Sequence, residues 1–256
     1  MDGVVFGEDM ENAALHVYLL ERKLRLRLTE GKNLLPLGKN QINLFFRSFI
    51  RNFVPMECKS RKEILCINDH VSDISEEQTE RLIASLPEWR REAALRFKFL
   101  QGRRECAVGY IELVRGLRLR FGIEGMPAFE YNESGKPFLN EHQDIYFSIS
   151  HCKDAVGCFI SDRLCGLDIE HIRKTKEDLV RHTMSAEEAD AIFSAPCPDL
   201  AFTRLWTQKE AVLKLAGTGI IDDLHHVLEP ERLQGIRLET VENPYQGYVY
   251  TIAVKS

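Results

Sequence analysis

Hydrophobic side chains recur at helical or strand spacing from residue 62 to the end of the chain. Alternating apolar and polar positions predict strands at residues 62–68, 146–150, 155–160 and 164–169, and two more within 236–254. Apolar positions three and four residues apart predict helices at residues 75–86, 87–121, 177–181, 185–193 and 202–216. Within this pattern, we expect a helix break at Gly102 and a hairpin turn at residues 161–163.

Short polar motifs indicate where several of these helices begin and end. Ser75 with Gln78, and Ser185 with Glu188, have the spacing of a capping box, in which each side chain bonds a free backbone N–H at the helix start. Gly217 follows the last apolar position of the 202–216 helix, where a left-handed glycine is typical of a helix end.

The first 55 residues differ from the rest of the chain. An acidic start leads into alternating leucine and arginine at 24–28, which predicts a strand, and residues 42–53 have the pattern of a short amphipathic helix. The start is not basic and has no cleavage motif, so a secretory signal is not predicted. Our hypothesis is that Met56 is the functional start and that residues 1–55 are either an extension of unknown role or the product of a mis-assigned start.

Composition and charge narrow the class of protein. The 256 residues are 44% hydrophobic and 29% charged, as in ordinary soluble globular proteins. A formal net charge of −5 argues against a general nucleic-acid binder, and no apolar run is long enough to cross a bilayer. The 7 cysteines form no Cys-x-x-Cys pair, which indicates reduced thiols in a cytoplasmic protein.

Two carboxylates, Asp168 and Glu170, share one face of the strand that is predicted from residue 164 onwards. Side chains alternate along a strand, so Asp168 and Glu170 lie on one face and Leu167 and Ile169 on the other. Carboxylates about 7 Å apart repel each other unless water or a cation separates them, and paired hard oxygen ligands suit Mg²⁺. Taken alone, the pair is more typical of a solvated acidic strand.

The 202–216 helix places a carboxylate and an ammonium one turn apart. Trp206, Glu210 and Lys214 are spaced by four and share one helix face. Such a pair is commonly a surface ion pair, but it also suits an attacking hydroxyl and a phosphate. Glu187 is equally ambiguous, because an acidic residue in the first turn of a helix is expected from the helix dipole alone.

Five motifs occur in order between residues 135 and 219: Gly135-Lys136-Pro137, Phe147-Ser148-Ile149-Ser150-His151, Gly166-x-Asp168-x-Glu170, Glu187 at a helix start, and Trp206-x-x-Lys209-Glu210-Ala211-x-x-Lys214-x-x-Gly217-x-Gly219. Together they resemble the 4′-phosphopantetheinyl transferase family, surfactin-synthetase type. The resemblance continues more weakly from about Met56 to the end. It implies an α+β fold of two similar halves, 56–163 and 164–256, each with antiparallel strands packed against helices. The halves are expected to be related by a pseudo-twofold axis in a monomer, and the second half carries the metal site.

The resemblance also implies an activity. The enzyme would move the 4′-phosphopantetheine group of coenzyme A to a serine hydroxyl of an apo acyl or peptidyl carrier protein and release 3′,5′-ADP. Asp168, Glu170 and Glu187 would hold Mg²⁺, with Mn²⁺ as the alternative metal. Glu210 would be the base, and Lys214 would balance charge on the pyrophosphate.

Coenzyme A binding is assigned in the same way. The resemblance places Lys136 beside the nucleotide and His151 at the 3′-phosphate with Ser150 nearby, and Lys214 at the pyrophosphate. Some arginines within residues 90–104 are further candidates for the 3′-phosphate. Neither a nucleic acid nor a membrane is an expected partner, and the carrier protein would be met in the cytoplasm.

Two other functions stay open at this point. The carboxylates would also suit an Mg²⁺-dependent hydrolase of a nucleotide diphosphate. A protein that binds coenzyme A without turnover is the second alternative, although it would have no need of the base Glu210.

Overall fold

The computed structural model describes residues 62–217 and 224–256. The predictions made for residues 1–55 and for Gly219 lie outside the described residues. Among the described residues, no helix combines the length and the apolar character needed to span a membrane.

Strands and helices occur mostly where the hydrophobic pattern predicts them. The strands are β1 (Glu63–Asn68), β2 (Phe129–Tyr131), β3 (Pro137–Leu139), β4 (Tyr146–His151), β5 (Val156–Ser161), β6 (Cys165–His171), β7 (Ile236–Asn243) and β8 (Tyr248–Lys255). The α-helices are α1 (Glu76–Ala84), α2 (Glu88–Leu95), α3 (Leu100–Gly116), α4 (Glu177–Thr183), α5 (Ala186–Ser194) and α6 (Pro198–Ala216). A 3₁₀ turn at Val71–Asp73 and a π-helical turn at Leu117–Phe121 complete the described elements.

Two antiparallel sheets of three strands form the centre of the fold. The N-terminal sheet has the order β1-β5-β4, and the C-terminal sheet has the order β6-β8-β7. Helix α3 packs on the N-terminal sheet and α6 packs on the C-terminal sheet. A small β2-β3 ribbon lies beside β4. This arrangement confirms the predicted α+β class with antiparallel strands and helices.

The two sheets meet where β4 lies against β6, and serine hydroxyls make the connection. Ser148 Oγ accepts a hydrogen bond of 2.9 Å from the backbone N–H of Leu167, and Ser150 Oγ accepts one of 3.2 Å from that of Ile169. Both serines are buried. Because these hydroxyls take the place of backbone carbonyl partners, they satisfy buried N–H groups along the edge of β6.

The predicted hairpin turn at residues 161–163 is wrong. Strand β5 pairs with β1 and β4, whereas β6 pairs with β8, so the turn carries the chain from one sheet to the other. Its sequence fits a hairpin, but pairing with β8, whose partner residues are 77 to 89 positions further along the chain, decides the position of β6.

The helix break lies before Gly102 rather than at it. Helix α2 ends at Leu95, and α3 begins at Leu100 and includes Gly102. The Phe97 ring covers this glycine, and a Cβ there would lie 2.7 Å from Phe97 Cδ1. Gly102 therefore marks a close side-chain contact within a helix, a role that glycine often has.

Local end signals were predicted correctly. Both capping boxes form, at Ser75 with Gln78 and at Ser185 with Glu188. Gly217 ends α6 at a φ of 70° and donates to the carbonyl of Leu213.

Candidate functional site

Strand β6 divides its side chains between the core and the site. Leu167 and Ile169 are fully buried in the core of the C-terminal sheet. Asp168 and Glu170 lie on the opposite face, and the Asp168 side chain is only 5% exposed. The predicted alternation is correct, but Asp168 is buried rather than solvated. Burial of a carboxylate is costly unless charge or hydrogen bonds compensate for it, so this strand face needs partners.

Helix α6 lies directly on Gly166, which is on the same strand face as Asp168. A Cβ at Gly166 would be 2.0 Å from the carbonyl oxygen of Ala211 and 2.5 Å from the backbone nitrogen of Leu215. Only a residue without a side chain allows the helix axis to come this close to the strand. The glycine therefore brings the acidic face of β6 within reach of side chains on α6.

One face of α6 meets the carboxylates of β6. Trp206 hydrogen-bonds Glu170, Glu210 lies close enough to Asp168 for the two carboxylates to repel, and Lys214 pairs with Asp168. The predicted shared face of the three helix residues is therefore the face turned towards the site. Four of the predicted site residues, Asp168, Glu170, Glu210 and Lys214, are brought together.

Lys214 and Ser150 share one oxygen of Asp168. Lys214 Nζ donates to Asp168 Oδ1 over 2.6 Å and to Ser150 Oγ over 2.9 Å. Ser150 Oγ donates to the same carboxylate oxygen over 3.0 Å. This network joins β4, β6 and α6, and it fixes the orientation of the Asp168 carboxylate.

Two carboxylate oxygens in this site are buried without a hydrogen-bond donor: Asp168 Oδ2 and Glu210 Oε1. A buried acceptor without a partner costs free energy, and carboxylates that remain unpaired at a buried position often serve a function. Burial, followed by repulsion from Asp168, raises the pKa of both Glu170 and Glu210. The Arg173 charge and then the Lys214 ammonium oppose the increase at Glu170, and Lys214 opposes it at Glu210. The site thus concentrates negative charge that these cations only partly neutralise.

The carboxylates of this site fit a magnesium ion that takes most of its ligands from water and phosphate oxygens. No group of three or more His, Cys, Asp or Glu side chains in the described parts of the chain is arranged to hold a metal. Mg²⁺ usually takes only one or two carboxylates and fills its octahedron with water and phosphate oxygens. The unpartnered oxygen of Asp168 and the carboxylate of Glu170 are hard ligands of the required kind.

Among the described residues, no hydrogen bond or ion pair joins Glu187 to this cluster. It lies in the first turn of α5, fully exposed, where Ser185 Oγ donates to its carboxylate over 2.9 Å. Its own backbone N–H and the Ser185 hydroxyl lower its pKa. The local surroundings are those expected of an acidic residue at a helix start.

Sequence reasoning missed Lys209, although it lies within the Trp206 motif. Its ammonium is buried and donates to Glu188 Oε2 over 2.6 Å and to the carbonyls of Thr183 and Leu224. Lys209 therefore ties α4, the capping box of α5 and the chain near Leu224 to helix α6. A buried lysine preceding a predicted catalytic glutamate gives no local signal of this role, because all its partners are distant along the chain.

The predicted turn at residues 132–137 forms, and its lysine points inwards. Gly135 has a φ of 81°, and Asn132 Oδ1 accepts from the backbone N–H of Lys136 over 2.7 Å. Lys136 Nζ donates to the carbonyls of Cys165 and Leu215, at 3.1 and 2.9 Å. Burial lowers the pKa of this lysine. Its ammonium thus links the turn to the start of β6 and the end of α6.

A cavity of about 330 Å³ opens beside the acidic cluster. It is lined by residues 134–137 of the turn, residues 147–149 of β4 and four residues of α6: Glu210, Leu213, Lys214 and Gly217. Lys136, Glu210 and Lys214 thus belong to one pocket. His151 lies at the exposed end of β4, where its ring faces the carboxylate of Glu105.

A carboxylate and an ammonium that converge beside an open cavity are typical of enzymes that act on phosphate esters. Residues 164–252 match the family model described as the 4'-phosphopantetheinyl transferase superfamily. The chain is also similar to 4'-phosphopantetheinyl transferase HetI of Nostoc sp., at 32% identity over 63% of this chain and 74% of that protein. It is 30% identical to 4'-phosphopantetheinyl transferase psf-1 of Bacillus pumilus over 56% of this chain and 63% of the relative.

A third relative is 4'-phosphopantetheinyl transferase Sfp of Bacillus subtilis, 23% identical over 57% of this chain and 67% of Sfp. The chain belongs to the 4′-phosphopantetheinyl transferase family, which confirms the family and the enzyme class predicted from the five motifs. The chain spans just under two thirds of psf-1 and about three quarters of HetI.

Proposed function

We propose that this protein transfers the 4′-phosphopantetheine group of coenzyme A to a serine of an apo acyl or peptidyl carrier protein. The observation that carries the proposal is the meeting of Asp168 and Glu170 with Glu210 and Lys214, two side chains that line one cavity. Family membership supports the same reaction. The serine oxygen attacks the β-phosphorus of coenzyme A, the bond from that phosphorus to the bridging oxygen breaks, and 3′,5′-ADP leaves.

Glu210 is the proposed base. Its carboxylate lines the cavity, and one of its oxygens is buried without a donor, so it is free to accept the serine proton. Its raised pKa makes it a stronger base than an exposed glutamate, which helps with a weakly acidic hydroxyl. Lys214 lines the same cavity and supplies positive charge for the pyrophosphate oxygens.

Asp168 and Glu170 are the proposed centre of the metal site. When bound there, Mg²⁺ or Mn²⁺ would supply Lewis acidity to the pyrophosphate and neutralise its charge. Glu187 is proposed as the third ligand, and the buried Lys209–Glu188 ion pair supports this, because it ties the first turn of α5 to the residue before Glu210.

Coenzyme A is proposed to occupy the cavity and the neighbouring end of β4. Lys136 contributes through its turn, which forms one wall, and Lys214 through its ammonium. Ser150 and His151 follow on β4, and His151 is proposed to contact the 3′-phosphate. Arginines within residues 90–104 stay candidates for the same phosphate.

A pseudo-twofold relation between halves 56–163 and 164–256 is part of this proposal. It is supported by the composition of the two halves, since each supplies a three-stranded antiparallel sheet covered by one long helix. We also propose that the protein acts as a monomer in the cytoplasm without nucleic acid. The formal net charge of −5 supports the last point.

The test is incubation of the protein with coenzyme A, Mg²⁺ and a panel of apo carrier proteins, read by intact mass. We expect one carrier to gain a single phosphopantetheine, and the Glu210→Gln variant to react about 10²–10⁴-fold more slowly. Glu177→Gln is the matched control, because Glu177 is an exposed helical glutamate paired with Arg181. Release of free phosphopantetheine without a carrier would instead support a hydrolase, and binding without any product would support a coenzyme A binding protein.

A further inference from the structure

A buried carboxylate stands behind the histidine at the end of β4. Glu105, on α3, has a side chain that is only 9% exposed. Its Oε1 accepts a hydrogen bond of 2.8 Å from Gln101 Nε2, one turn earlier on the helix. Its Oε2 lies 3.3 Å from His151 Nδ1. Both oxygens of this carboxylate therefore have partners, and one of these partners is on a different element.

This contact determines how the His151 ring is presented. With Nδ1 facing a carboxylate, the orientation of the ring is set, and a ring that carries a proton on both nitrogens has its Nε2–H available to donate to a phosphate. Nε2 is at the other edge of the ring and is turned away from Glu105. The ring is 55% exposed, so a ligand can reach it.

The position of His151 connects this pair to the candidate site. Its neighbour Ser150 is bonded to Lys214 Nζ and to Asp168 Oδ1. His151 is on the opposite face of β4 from Ser150, but it is the last residue of the strand, so a negative ligand that extends from Lys214 past this end would meet its exposed ring. Glu105 itself is too buried to meet such a ligand, and its negative charge would repel it.

We propose that Glu105 is a positioning residue that holds His151 so that Nε2 contacts the 3′-phosphate of coenzyme A. This inference rests on the proposed function, because it takes coenzyme A as the ligand. It predicts that removal of the Glu105 charge weakens recognition of one phosphate and leaves the rest of the ligand contacts intact.

The test compares binding of coenzyme A with that of dephospho-coenzyme A, which lacks the 3′-phosphate, by titration calorimetry. We expect wild-type protein to prefer coenzyme A, and Glu105→Gln to weaken the Kd for coenzyme A by about tenfold with little change for dephospho-coenzyme A. His151→Gln should have the same selective effect. The double variant should bind no worse than His151→Gln alone, because the two residues act as one unit.

Glu112→Gln is the matched control. Glu112 is on the same helix, is also buried, and pairs with Arg115 at 3.0 Å. Its loss should lower the melting temperature without changing the ratio of the two Kd values. Gln101→Leu provides a second route, because Gln101 is exposed and its loss frees the Glu105 carboxylate without introducing a new buried group. It should weaken coenzyme A binding selectively, by less than Glu105→Gln.

Equal losses for both ligands in Glu105→Gln and in Gln101→Leu would overturn the inference, as would additive effects of Glu105→Gln and His151→Gln. Equal binding of the two ligands by wild-type protein would also overturn it. The mass assay for carrier modification is a separate measurement. Selective binding of coenzyme A without transfer would uphold the role of Glu105 and refute the proposed function. Transfer to a carrier protein, together with additive effects of Glu105→Gln and His151→Gln on binding, would uphold the proposed function and refute the role of Glu105.

Discussion

At the scale of single residues, the site depends on carboxylates that the fold only partly compensates. Asp168 has a lysine and a serine on one oxygen and no donor on the other, and Glu210 retains one bare oxygen. Such an arrangement destabilises the folded protein, because each buried acceptor has lost its water. A site that binds a cation and accepts a proton requires carboxylate oxygens that have no other hydrogen-bond donor.

The pH dependence of transfer follows from the surroundings of Glu210. Burial and repulsion from Asp168 raise its pKa, and a base acts only when deprotonated. As the pH is lowered, the transfer rate should therefore begin to fall at a higher pH than the range in which an exposed glutamate titrates. Lys214 is the group that lowers this pKa, so Lys214→Met should move the acid limb to higher pH. The measurement is kcat/KM against pH at saturating metal.

Lys255→Met is the control for that experiment, since Lys255 is exposed at the end of β8. It should leave the acid limb where the wild-type protein has it. An acid limb that Lys214→Met does not move would show that Glu210 is not the titrating base.

The metal ligands can be ranked by the metal concentration that half-activates the enzyme. Asp168→Asn and Glu170→Gln should each raise this concentration about tenfold, which corresponds to about 1.4 kcal/mol of metal affinity, because each variant removes a charged oxygen ligand. Glu187→Gln should raise it by a smaller factor, because Glu187 is exposed and already accepts from Ser185. An unchanged metal requirement in Glu187→Gln would show that Glu187 is not a metal ligand.

At the scale of elements, the predicted helix caps are correct, whereas the predicted pairing of strands is not. The capping box at Ser185 and the left-handed Gly217 depend on residues within one or two turns, so the sequence is sufficient to predict them. The pairing of β6 with β8 and the contact of Lys209 with Leu224 join residues far apart in the chain. Periodicity contains no information about such contacts, which is why the predicted hairpin at 161–163 was wrong.

The same limit applies to the candidate site. Motif spacing correctly predicted the shared face of Trp206, Glu210 and Lys214, because helical geometry fixes it. That α6 lies on Gly166 follows from the packing of helix and sheet and could not be derived from spacing. The inward direction of the Lys136 ammonium was also unforeseen, because its acceptors are two distant carbonyls.

Lys209 should be more important for stability than any surface lysine. Its side chain is 1% exposed and pairs with Glu188, so Lys209→Met leaves a carboxylate that is only 17% exposed without its counter-charge and should cost about 3 kcal/mol. Urea unfolding measures this. Arg181→Met is the control, since the exposed pair of Arg181 with Glu177 should contribute at most about 1 kcal/mol. Similar losses in both variants would mean that the buried pair has no special role.

At the scale of the whole molecule, the candidate site depends on contacts between the two sheets. Asp168 belongs to the C-terminal sheet, but the serine that orients it comes from the N-terminal sheet. Arg237 on β7 pairs with Glu63 on β1 at 2.5 Å and joins the same two sheets through charge. Separate folding of the halves would leave Asp168 without Ser150, so both halves must be present for the site to form.

The chain from Met56 onwards should therefore retain the complete activity. All the residues of the candidate site lie within Lys62–Ser256, which forms one compact unit. A chain of residues 56–256 is expected to be soluble and to modify the carrier protein at the rate of the full chain, as measured by intact mass. A chain that ends at residue 247 is the matched control, because it lacks β8, the middle strand of the C-terminal sheet, and should not fold. If the 56–256 chain is insoluble or inactive while the full chain works, residues 1–55 are a required part of the enzyme and not an extension.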